Sequence, residues 1–334
     1  MKEANKQAMN KLLKYFARRG YTKSTVSRWV IVAVEYIVFL EKYGRTIDDI
    51  GDLLNSEGRV VQKEQFGVRD YLDTKTEYSV RYLNYLHHVM KRLYIAWEKH
   101  FPIDNEEFPK VKKEPERIML TTNQVLKIAE TARKIWVERL KSNKDDFQEL
   151  RDYALILIGI DTGARRYQIS EIDVKDFSPK KGTLFIPAAK GGRDTSRVLG
   201  SITNDVLVLY TQKRKKIDFQ ERDERSGKIR QPMFLVDDMK KRISLTSMSK
   251  IVNAIAEKAG YNQKGIGFHV FRRAKVWRLK KAGCTEEEIN DIMGWKRGSR
   301  QSHIYGSLDQ REVQSKAAQV DDILKNKDNN SEMV

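Results

Sequence analysis

The stretch "FHVFRR" sets an imidazole and a guanidinium three residues apart, His269 and Arg272. On a helix such a pair shares one face. Arg273, Lys275, Arg278, Lys280 and Lys281 follow closely. An imidazole can accept or share a proton, and a guanidinium presents a planar fork that fits two phosphate oxygens, which an ammonium cannot imitate. Together they suit a phosphodiester under attack, where negative charge grows on the non-bridging oxygens and fixed cations stabilise it. The reaction also needs a nucleophile and an acid for the departing oxygen. Divalent metals held by carboxylates are the other general route, and the sequence gives it little support. The five His are scattered, and His87 and His88 are neighbours that cannot share a helix face. No metal and no cofactor is therefore expected. The glycines of "KGGRD" fit a hairpin turn and lack the spacing of a phosphate-cradling loop.

Composition points to the partner. The 334 residues carry 64 Lys and Arg against 46 Asp and Glu, a formal charge of +18. That excess favours a polyanion, nucleic acid first. One Cys, Cys284, excludes an intramolecular disulfide framework and a Cys-based zinc site, which fits a reducing cytoplasmic compartment. The longest apolar run, "YALILIGI" at 153–160, is too short to cross a bilayer, so no membrane association is expected.

The elements that must position these side chains fall into two groups, as the length suggests. Residues 1–107 read as helices without strand-like alternation, and Val80, Leu83, Leu86, Met90, Leu93 and Trp97 lie near one helical stripe. Residues 108–120 are rich in proline and mixed charge and read as a linker. Thr121 and Gln124 form a capping box that opens the second domain, 121–312. It combines a buried helix around 148–162, two short strands about a Gly-Gly turn in "GTLFIPAAKGGRDTSRVL", and helices near 204–216, 247–259, 268–282 and 286–293. Residues 313–334 are a C-terminal helix, with Val313, Ala317, Val320 and Leu324 at helical spacing, then a disordered tail. The fold class is mainly α with a small antiparallel sheet in the second domain.

That second domain resembles the catalytic domain of the tyrosine recombinases, the phage integrase superfamily, through four segments in the family's order. "TGARRYQISEIDVKDF" aligns the first catalytic arginine with Arg165, since Ile169, Ile172 and Asp176 follow at the family's offsets. "PAAKGGRDTSRVL" is similar to the family's hairpin and puts its lysine at Lys190. "HVFRR" supplies His269 and Arg272, and "IMGWKRGSRQSHIYGSL" resembles the closing segment, with Trp295 and the nucleophile Tyr305. The resemblance implies a helical DNA-binding domain ahead of a mixed catalytic domain, and a tetramer acting on two duplexes. It also implies strand cleavage and rejoining through a 3'-phosphotyrosine, with neither metal nor ATP. Tyr305 attacks, Arg165 and Arg272 hold the phosphate, Lys190 protonates the leaving oxygen, His269 shares the tyrosine proton and Trp295 donates a hydrogen bond.

Contacts to the DNA backbone are expected from Arg166, Arg193, Arg273, Lys275, Lys296, Arg297 and Arg300, and from Lys14, Arg18, Lys23 and Arg28 in the first domain. The C-terminal helix is expected to dock on a neighbouring subunit. The sequence departs from the family pattern at Gln168, where an acid is usual, and the interval from Trp295 to Tyr305 is one residue longer than usual. A type IB topoisomerase and a catalytically impaired DNA-binding relative remain open as alternatives. Integration, excision or transposition of a prokaryotic or archaeal mobile element is the expected setting.

Overall fold

In the computed structural model the chain forms two compact units, Met1–Glu116 and Arg117–Val334. The structure describes residues 1–301 except 55, 58, 63, 65–66, 108–117, 189–191, 224–225 and 264. Lys190, Tyr305 and the expected C-terminal helix and tail lie outside the described residues, as does most of the expected linker.

The first unit is built on four helices, α1 (Glu3–Arg18), α2 (Lys23–Lys42), α3 (Val68–Asp73) and α4 (Val80–Trp97). The hydroxyls of Thr22 and Ser79 cap α2 and α4 by accepting from the third backbone N–H onward, which satisfies donors that the helix leaves orphaned. Leu12, Phe16, Ala33, Tyr36, Leu40, Leu86, Met90, Leu93 and Tyr94 form the core. Of the predicted stripe on α4, Leu86, Met90, Leu93 and Trp97 are buried and Val80 is exposed.

This unit also contains a short antiparallel pair, β1 (Leu53–Leu54) with β2 (Val60–Gln62). The purely helical reading of the first hundred residues is corrected here. Strands of two and three residues are too short to show alternation, and side-chain bonds hold the pair instead. Glu64 N–H donates to Asp52 (2.7 Å), and Glu64 accepts from Gly51 N–H (2.9 Å) and from the buried Tyr94 hydroxyl (2.7 Å).

The second unit is organised around α6 (Phe147–Thr162), apolar on every side from Tyr153 to Ile160 and mostly buried. It packs on α5 (Thr122–Lys141), α8 (Ser201–Arg214) and α10 (Phe268–Lys281). The expected capping boxes are present: Thr121 with Gln124 opens α5, and Thr285 with Glu288 opens α11 (Glu286–Met293). A three-stranded antiparallel sheet runs β3 (Phe177–Ser178), β4 (Thr183–Ile186), β5 (Thr195–Val198), with Thr183 opposite Val198 and Ile186 opposite Thr195. Leu184 and Ile186 of β4 point into the core while Phe185 points out, the period of a one-sided sheet.

The short helix α7 (Arg166–Ser170) leads away from α6, and its far end is tied down by ion pairs. Arg230 donates to Glu171 (2.7 Å) and Asp173 (2.8 Å), while Arg242 donates to the other Asp173 oxygen (2.9 Å) and to the Ser170 carbonyl (2.6 Å). Arg230 belongs to the small hairpin β6 (Glu221–Arg222) and β7 (Ile229–Arg230), also too short to be read from alternation. Helix α9 (Leu245–Lys258) completes the layer beside α5 and α7. No helix among the described residues is long and apolar enough to cross a membrane.

The crossing of α6 with α10 is set by Gly159, whose added Cβ would lie 2.9 Å from the Phe268 ring and 3.0 Å from the Phe271 ring. Alanine there gains helix propensity but overpacks the crossing. Gly159→Ala is expected to lower the urea-unfolding free energy of the protein by about 1–2 kcal/mol; an unchanged or higher value would show that the crossing tolerates a wider spacing.

Candidate active site

Helix α6 ends at Gly163 in the left-handed region (φ 58°), a conformation that costs glycine little. The space is also tight: a Cβ there would sit 3.1 Å from both Lys275 Cβ and Met293 Cε. Two residues on, Arg165 stands at the N-terminus of α7 with extended backbone, and its side chain makes no capping bond to that helix. Gln168, buried at 3% exposure, performs the capping. Its carbonyl oxygen accepts from the Arg165 backbone N–H (3.1 Å), and its amide donates to the Pro187 carbonyl at the end of β4 (2.7 Å).

Pro187 opens the segment that carries Lys190, and the return side of that segment is held as well. Asp194 accepts from Ala188 N–H (2.6 Å), Arg193 N–H donates to the Gly294 carbonyl (3.3 Å), and the Arg193 guanidinium pairs with Asp291. Gly294 is the left-handed cap of α11 (φ 67°), and the residue after it is Trp295.

Arg272 on α10 lies at the centre, fully buried. Its Nη1 donates to the Gly163 carbonyl (2.8 Å) and its Nη2 to the Met293 carbonyl (3.3 Å), with its guanidinium carbon 4.8 Å from the centroid of the Trp295 ring. Trp295 is itself buried against Val276, Ile289 and Met293. One turn earlier, His269 faces solvent. Partial desolvation, followed by the charges of Arg272, Arg273, Arg165 and Arg166, holds its pKa below the ordinary imidazole value. It is therefore neutral at pH 7 and able to accept a proton. The two partners of the His-x-x-Arg pair thus occupy different depths, His269 at the surface and Arg272 beneath it.

Two further arginines complete the cluster. Arg197 on β5 donates through Nη1 to the Thr162 carbonyl, and Arg278 donates to the Ile160 carbonyl (2.6 Å). Together with Arg272 on Gly163, these guanidiniums take up the carbonyls that the end of α6 leaves orphaned, at the negative pole of its dipole. Arg197 Nη2 is buried and has no hydrogen-bond partner among the described residues. Burial, then the neighbouring Arg165 charge, brings its pKa down to about 10.

The chain matches a known family model, the phage integrase family, over residues 119–312. The chain belongs to the phage integrase family. Membership makes it an enzyme of site-specific DNA recombination, of the tyrosine recombinase type. Among solved structures, the XerH site-specific recombinase bound to difH substrate is similar at a TM-score of 0.62 and 16% identity, covering 92% of this chain and 83% of XerH. The Tn1549 transposon integrase in complex with transposon right end DNA gives 0.60 at 12% identity, covering 93% and 98%. A lambda integrase tetramer bound to a Holliday junction gives 0.58 at 15% identity, covering 90% and 76%. At these identities the likeness establishes the two-domain recombinase fold. No curated protein matches the chain.

Against this family background, the other expected DNA contacts divide into two kinds. Arg166 is engaged by Ser249, Arg193 by Asp291, and Arg273 by the Ile118 carbonyl (2.6 Å), so these three brace the second unit. Lys275 is half-buried, its pKa lowered by burial against the opposing pull of Asp161. Lys296, Arg297 and Arg300 are exposed just after Trp295. In the first unit Lys14, Arg18, Lys23 and Arg28 are exposed on α1 and α2, with Arg28 also donating to the Ser24 carbonyl (3.2 Å).

Arg197 and Arg278 were not singled out as site residues by sequence reasoning. A signal for Arg197 existed: on β5 it occupies the inward register between outward Ser196 and Val198, where a lone cation is out of pattern. The arrangement around His269 has a measurable consequence. In NMR titration of the free protein, His269 is expected to titrate below 6.5, and Arg165→Gln to raise that value by removing one of the opposing charges. Titration at or above 6.5, or no response to Arg165→Gln, would contradict the electrostatic assignment.

Proposed function

We propose that this recombinase cleaves and rejoins DNA strands at specific sites through a 3'-phosphotyrosine on Tyr305, in the integration, excision or transposition of a mobile element. The observation that carries the reading is a closed set of bonds among four distant segments. Arg165 is linked through Gln168 to Pro187, Arg193 to Gly294 beside Trp295, and Arg272 to Gly163 and Met293. These are the segments whose residue types suit phosphoryl transfer by fixed cations.

In the proposed reaction the Tyr305 hydroxyl oxygen bonds to phosphorus and the bond to the 5'-oxygen breaks. His269, neutral at pH 7, accepts or shares the phenolic proton, and Lys190 gives a proton to the departing 5'-oxygen. Arg165 offers its fork to the non-bridging oxygens. Arg272, covered by Trp295 and fixed on two carbonyls, supplies positive charge from a buried position where screening is weak. Attack by a 5'-hydroxyl of a second strand reverses the steps, keeps the ester-bond count constant and requires no external energy source. Strand exchange needs two duplexes, and the lambda integrase relative is a tetramer on a Holliday junction. A homotetramer on double-stranded DNA is the assembly proposed here, with the exposed cations of both units following the backbone phosphates.

The test is trapping on nicked suicide DNA with peptide mapping of the attached nucleotide. Wild-type protein is expected to give a covalent adduct on the peptide containing Tyr305, and Tyr305→Phe none. An adduct on another residue, or none with intact protein, would overturn the assignment; relaxation of supercoils without strand exchange would instead favour a topoisomerase.

A further inference from the structure

The family pattern has an acid at the position of Gln168, and the two bonds this side chain makes show what the amide supplies. One partner is a donor, the Arg165 backbone N–H (3.1 Å), and the other is an acceptor, the Pro187 carbonyl (2.7 Å). Only a group with one donor and one acceptor side satisfies both. An ionised carboxylate meets the first and sets two unshared oxygens face to face at the second. With 3% of the residue exposed, water cannot fill the gap cheaply. The link spans two segments that the proposed reaction needs in register: α7, whose first turn presents Arg165, and the β4 end from which the chain runs to Lys190.

We propose that Gln168 is a positioning residue that locks Arg165 to Pro187, at the end of β4, through an amide donor that a carboxylate lacks. It acts through those two residues and touches no reacting atom. The inference rests on the phosphotyrosine reading above, because its consequence is read as a rate of strand cleavage. Two features agree with a built link. Ala188, next to Pro187, donates its N–H to Asp194, and Arg193 N–H donates to the Gly294 carbonyl, so the described residues on both sides are also bonded. The far end of α7 is fixed by Arg242 on the Ser170 carbonyl, and its near end by Arg166 on Ser249 together with the two Gln168 bonds.

The two substitutions that separate this role from simple packing are Gln168→Glu and Gln168→Met, with adduct formation on suicide DNA measured relative to wild type from pH 6 to 8.5. An ionised glutamate side chain can accept from the Arg165 N–H but cannot donate to Pro187. Gln168→Glu is therefore expected to cleave about 10- to 100-fold more slowly than wild type at pH 8.5. As the pH falls, the buried carboxyl takes up a proton and its O–H becomes the missing donor, so the ratio to wild type is expected to rise. Gln168→Met, of similar length and with neither bond, is expected to remain slow at every pH while binding DNA with unchanged Kd; it also keeps the test decisive if the first variant fails to fold. A pH-independent ratio for a folded Gln168→Glu protein, or wild-type cleavage by Gln168→Met, would overturn the proposal. Absence of an adduct with wild-type protein would remove the phosphotyrosine reading itself, a result distinguishable from either outcome.

Discussion

The buried guanidinium of Arg272, held between the Gly163 and Met293 carbonyls, is the interaction on which the rest of the second unit depends. It joins the end of α6, the central helix, to the end of α11, and it supports the ring of Trp295. Burying a charge is costly unless its donors are used. Here they point at carbonyls at the negative end of a helix dipole, which stabilise positive charge without carrying a full opposite charge. Two left-handed glycines make the approach possible, since side chains at Gly163 or Gly294 would meet Met293 Cε or Thr195 Cγ2 at about 3 Å.

Two groups of arginines in the second unit differ in their partners. Arg230 and Arg242 share Asp173 and reach Glu171 and Glu221, so their charge is cancelled locally and they act as fasteners. Arg197, Arg272 and Arg278 donate to backbone carbonyls at the end of α6, which are dipoles rather than anions. Burial, with cationic neighbours added to it, depresses both His269 and Arg197.

Much of this was legible in the sequence because it rests on spacing. The His269 and Arg272 pair, the capping boxes at Thr121 and Thr285 and the apolar run of α6 all follow local rules, and each element stands close to its predicted position. The depth of Arg272 was not legible, because spacing gives direction on a helix but not what covers it; Trp295 does so from a segment 23 residues away. The internal engagement of Arg166, Arg193 and Arg273 was hidden for the same reason: each partner is remote in sequence. The short strands β1, β2, β6 and β7 escaped because two or three residues carry no period. Gln168 was visible as a departure from the family pattern, but its second partner, Pro187, appears only once β4 is folded beside α7.

The most direct test of the central claim is Arg272→Lys, which keeps a charge of the same sign and removes the planar fork. Adduct formation on suicide DNA and thermal unfolding would be measured on the same protein. The lysine variant is expected to fold and still bind DNA but to cleave at least about 100-fold more slowly, because one ammonium cannot hold both carbonyls in place under Trp295. A lysine variant that cleaves at the wild-type rate would contradict it.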